Sequence, residues 1–142
     1  MEYVTGVHAL NLGDRTVTPG DWHFSALDWC HPMILDSEVS PFGDYGISLG
    51  EVPFRGIMPV ASHVRACLDL IEQGLYGSAQ GMRENFIDND AFDREIMDQV
   101  WKLRGRSDWL DIDRFIGHEY LCDWLDYKEI VMKEGGACRI QR

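Results

Sequence analysis

The sequence predicts an α+β domain, mainly α, with a short N-terminal β-hairpin and irregular loops packed against a bundle of about four helices. Two observations carry this. All five prolines and half of the 14 glycines lie at or before residue 59, so the first part reads as strands, turns and loops. Beyond it, apolar residues recur at i, i+4 and i+7 or i+8, the spacing of helices with one buried face. A chain of 142 residues with 45% hydrophobic and 11% aromatic residues can bury one core. No Ser/Gly or charged linker divides it. Residues 1–142 are therefore expected to form a single domain, with a strand- and loop-rich part over 1–59, a helical part over 60–132 and a frayed tail over 133–142.

The elements follow in order. Tyr3–Leu10 carries β-branched and aromatic residues and ends in the turn-forming Asn11-Leu12-Gly13-Asp14, so it reads as a strand. Arg15–Thr18 can return beside it before Pro19-Gly20 stops the pairing. Asp21–Trp29 fits both periods; Asp21 as N-cap and Pro32 as stop favour a short helix. Residues 32–59 read as loops, with a turn at Phe42–Gly46 and a short strand around Ile47–Leu49. Pro59 suits the first turn of a helix whose buried stripe is Val60, Val64, Cys67/Leu68, Ile71 and Leu75, closed by Gly74. A second short helix is expected over Ser78–Phe86. Asn89 or Asp90 caps a third, with Phe92, Ile96, Val100 and Leu103 on its apolar side. Ser107 caps a fourth, in which Trp109, Ile112, Ile116, Tyr120 and Trp124 continue one face to about Met132, with a kink at Gly117.

Charge narrows the function classes. Twenty-four acids against 13 bases give a net charge of −11, which repels nucleic-acid phosphates and anionic membranes and favours a basic protein partner. No apolar run reaches the ~18 residues of a membrane span. The first residues lack the basic and apolar regions of a secretory signal, so a cytoplasmic location is expected. Four cysteines without a CxxC pair read as free thiols.

Gly20–Pro32 holds two tryptophans, two histidines, a cysteine and two aspartates. His23, Cys30 and His31, joined by His8 across a hairpin, are ligand types for zinc, but tight paired spacing is missing and no metal site or cofactor is expected. An enzyme or ligand-binding reading places a pocket here. His23 would act as acid/base, Asp21 or Asp28 would orient it, and Trp22, Trp29 and His31 would line the walls. Ser62-His63 and His118-Glu119 lack a partner at suitable spacing. No GxGxxG, Walker A, GxSxG or EF-hand pattern occurs.

The last helical region favours a different class. Between Ser107 and Glu129 lie seven acids and five aromatics against Arg114 and Lys128. Rings give affinity at an interface and charges steer encounter. The expected surface has Trp109, Tyr120 and Trp124 as anchors and Asp113, Asp123 and Asp126 as steering charges. The favoured function is a small acidic, non-enzymatic module that neutralises a basic partner, as an antitoxin, immunity protein or phage-borne inhibitor does.

Overall fold

Helix α2, His63–Glu72, is buried without interruption from His63 to Ile71, so protein covers it on every side. Of the expected stripe, Val64, Cys67, Leu68 and Ile71 lie in this core, whereas Leu75 falls beyond the helix end and is 45% exposed. The helix starts later than Pro59 suggests. Ser62 is the cap, its Oγ accepting from the Arg65 amide at 3.1 Å, and Pro59 and Val60 belong to a strand instead. At the far end Gly74 adopts φ 77 and the Leu75 amide donates to the Leu70 carbonyl at 2.8 Å, which turns the chain out of the helix.

The computed structural model describes residues 1–13 and 26–140, with backbone alone over 135–140. It is an α+β fold. Four strands, β1 (Glu2–Val4), β2 (Ile34–Asp36), β3 (Ile47–Val52) and β4 (Gly56–Ala61), form a mixed sheet in the order β2-β1-β4-β3. β1 pairs antiparallel with β2 and parallel with β4, and β3 and β4 form an antiparallel hairpin. Because β1 meets β4 only at Val60, most of β4 has one partner, the edge-like setting a proline tolerates.

The strand expected over Tyr3–Leu10 stops at Val4, and residues Gly6–Leu10 form helix α1. Gly6 causes the break. It sits at φ 63, and a side chain there would run into the Met33 sulfur, so the chain turns where only glycine fits. β1 pairs with β2 and β4; the return strand expected at Arg15–Thr18 lies outside the described residues. Of the short helix expected at Asp21–Trp29, residues 21–25 also lie outside them.

The helical part is less regular than a four-helix bundle. Helix α3 (Tyr76–Ala79) and a π-helix over Met82–Ile87 replace the single helix expected at Ser78–Phe86. Asn89 caps a short 3-10 turn by accepting from the Ala91 amide, and α4 follows over Asp93–Trp101. Helix α5 (Trp109–Tyr120) is preceded by Asp108 rather than capped by Ser107, and α6 runs over Cys122–Ile140, past the expected end at Met132. The break between them is Leu121 at φ 52 and ψ −128, four residues beyond the expected kink at Gly117. α1, α3 and α4 pack on α2, whereas α5 and α6 pack on each other.

A buried polar knot ties sheet to helix. Arg65 and Asp69 are 0% and 1% exposed and form an ion pair at 2.9 Å. Arg65 also donates to the Tyr45 carbonyl, the Tyr3 hydroxyl and Ser40 Oγ. Tyr3 and Thr5 each donate to Asp69 Oδ2 at 2.7 Å. The Tyr3 and Phe42 rings flank the guanidinium at 5.0 and 5.4 Å. Burial, then the hydrogen bond to Asp69, pushes the Tyr3 hydroxyl far above its ordinary range. No ligand reaches these groups, so the knot holds the fold.

Candidate interaction surface

Helix α6 divides its residues by angle. Trp124, Tyr127 and Val131, at i, i+3 and i+7, face the core. Leu125 and Met132, seven apart, lie on another side and are 59% and 61% exposed. Leu121, just before the helix, is 61% exposed as well. The Lys128 ammonium donates to Asp113 Oδ1 at 2.7 Å and brings α6 alongside α5. Leu110, in the first turn of α5, is 74% exposed. The exposed acids Asp126 and Glu129 flank Leu125 on α6, one residue and one turn beyond it. Apolar residues exposed in a group rather than singly mark an interaction surface.

The expected anchors sit elsewhere. Tyr120 and Trp124 are 0% exposed, and Trp109 is half-buried between Trp101 and Trp124, at ring distances of 5.8 and 6.2 Å. Trp124 stacks on Tyr127 at 5.5 Å. These rings form an aromatic layer between α4, α5 and α6. The Tyr127 hydroxyl ties it to α4 by donating to Asp98 at 2.6 Å. In this fold Tyr120 and Trp124 are core residues, not surface anchors.

The three acids expected to steer a partner differ among themselves. Asp113 accepts from Trp124 Nε1 and from Lys128, each at 2.7 Å. Burial works against the Asp113 carboxylate, but the hydrogen bonds from Lys128 and Trp124 outweigh it and hold its carboxyl below the ordinary range. Asp123 pairs with Arg83 at 2.5 Å. Asp126 is exposed. Asp113 is therefore a structural acceptor and Asp123 half of an ion pair. Glu129, which the sequence reading counted only among the acids, joins Asp126 on the exposed side.

A cavity of about 510 Å³ opens on the other flank of α5, lined by Tyr76, Phe115, His118 and Glu119 among others. Glu119 accepts from the Gly81 amide at 2.9 Å and so secures the start of the π-helix. Burial raises its carboxyl above the ordinary range in spite of that bond. His118 is exposed. His63 is 1% exposed, and its ring nitrogens face the carbonyls of Leu12 at 2.7 Å and Phe86 at 3.1 Å.

Of the alternative pocket, Asp21, Trp22 and His23 lie outside the described residues. The remaining residues converge. His8 Nε2 donates to the Asp28 carbonyl at 3.1 Å while its Nδ1 accepts from the Met33 amide at 3.3 Å, which fixes one tautomer. Trp29 packs edge-on against the His8 ring at 5.1 Å and is 6% exposed. His31 Nδ1 lies 2.9 Å from Asp28 Oδ2, and this contact, with the Cys30 amide, lowers the Asp28 carboxyl below its ordinary range. Each of these bonds organises the loop. Among the described residues no group of three or more His, Cys, Asp and Glu is placed to hold a metal ion, and no helix is long and apolar enough to cross a membrane. No protein-family model, curated protein or solved structure matches this chain.

Proposed function

We propose that this chain is an acidic, non-enzymatic interaction module of the cytoplasm that neutralises a basic protein partner, as an antitoxin, immunity protein or phage-borne inhibitor does. The binding face is the outward side of α5 and α6. One observation carries this reading: Leu125 and Met132 are each about three-fifths exposed on one side of α6, with Leu121 exposed just before the helix and the exposed acids Asp126 and Glu129 close to Leu125 along it. Leucine and methionine supply contact area there and the acids steer a basic surface towards it. The buried rings hold the helices in position. Occlusion of a partner's nucleic-acid or substrate site needs no chemistry from this chain.

The test is co-purification from the native cell with nuclease present, comparing the wild-type chain with a Leu125→Ala/Met132→Ala variant. Both positions are exposed, so the variant folds. A basic protein held in stoichiometric amount by the wild type and lost from the variant is the expected result. Equal recovery with both chains refutes this face.

A further inference from the structure

We propose a second docking site, independent of α5 and α6: the outer edge of β3, ending at Phe54, receives an extended segment of a partner protein that alternates apolar and basic residues. β3 is the outermost strand of the sheet, and among the described residues only β4 pairs with it. Its six residues, Ile47–Val52, contain no lysine or proline, the residues that commonly protect an edge. Backbone groups at strand spacing are matched by another extended chain, which gives affinity through the main chain and specificity through alternate side chains.

The side chains fit the same occupant. The register Leu49↔Pro59 and Glu51↔Ile57 places Leu49, Glu51 and Ile57 on one face. Leu49 and Ile57 are 73% and 66% exposed. At the hairpin tip the Arg55 amide donates to the Val52 carbonyl at 3.0 Å, which makes Phe54 the third residue of a tight turn. Phe54 holds φ 66 there, a conformation that favours glycine, and its ring is 84% exposed. A bulky ring that strains its own backbone and buries almost nothing contributes little to folding. It is placed as an anchor. A shallow groove of about 390 Å³ runs past it, lined by Leu12, Glu51, Val52, Pro53 and Gly56.

Charge decides between a partner segment and a second copy of this chain. Asp44 and Glu51 are exposed at the start and end of β3, while the Arg55 guanidinium turns back towards the Cys30 carbonyl at 3.4 Å. A second copy brings another net charge of −11 to this edge. A segment with lysine or arginine opposite Glu51 and apolar residues over Leu49 and Ile57 complements it.

The probe is a blocked eight-residue peptide of alternating lysine and valine, followed by amide NMR. Its control has the same sequence with alternate backbone amides N-methylated, which keeps the charge and removes the edge donors. The plain peptide is expected to shift the amides of residues 47–57, and the methylated one to bind about tenfold more weakly. Phe54→Gly should weaken the plain peptide about tenfold while the fold is kept. Equal binding of both peptides, shifts confined to α5 and α6, or self-association of the chain through β3 would each overturn the proposal.

Discussion

Asp69 accepts from Arg65, Tyr3 and Thr5 in a place water does not reach. Asp69→Asn leaves the Arg65 cation buried without its counter-charge, so urea unfolding should show a loss of about 3–5 kcal/mol. A loss below about 1 kcal/mol would mean that water enters the knot. Phe54 is the opposite case. Phe54→Gly relieves a positive φ, so the same unfolding experiment should show no loss of stability. Asp113 supplies a pH signature. Its folded carboxyl lies below the ordinary 3.8, so its stabilisation is complete above that value and is lost as the pH falls through the lower, folded one. The stability gap between wild type and Asp113→Asn should therefore close on acidification, and a gap constant with pH would refute the bonds from Trp124 and Lys128. At this scale the sequence was only partly informative. It offered Asn89 or Asp90 as the cap of the third helix; Asn89 instead caps the short 3-10 turn ahead of α4. It could not show that Asp113 and Asp123 spend their charge on neighbours, because those contacts come from residues 11 to 40 positions away.

At the scale of elements, the helix beginning near Ser107 was legible as a helix but not as two. The stripe Ile112, Ile116, Tyr120 runs at i+4 and Trp124 extends it, so periodicity alone continues through residue 121. The chain instead breaks at Leu121, in backbone space that only glycine enters freely. The core positions then restart as Trp124, Tyr127 and Val131, which exposes Leu125 and Met132. Leu121→Gly should raise stability by about 1 kcal/mol, since relief of strain exceeds the entropy glycine adds to the unfolded chain. A fall in the melting temperature would show that Leu121 is held by packing instead. β1 is a second instance. Alternation predicts a strand to Leu10, and Gly6 ends it because Met33, distant in sequence, occupies the space a side chain needs. In both places a long-range contact or a strained residue overrides the local pattern. Where the pattern was strong and unopposed, as along Val64, Cys67/Leu68 and Ile71, it located the core correctly.

For the molecule as a whole, the proposed function rests on two features: a net charge of −11, which would favour a basic partner, and the exposed apolar residues of α6, which would receive it. The aromatic surplus of this region packs α4, α5 and α6 together, and leucine and methionine are left outside. The measurement that tests the account most directly is the association rate of the co-purified basic protein with wild type and with Asp126→Lys/Glu129→Lys, over a range of salt. Both acids are exposed and neither bonds to another side chain among the described residues, so stability should be unaffected. Association is expected to be about tenfold slower at low salt, a difference that shrinks as salt rises, with little change in dissociation. Association rates that are equal at low salt, or a chain that holds no basic protein, would contradict the proposed function.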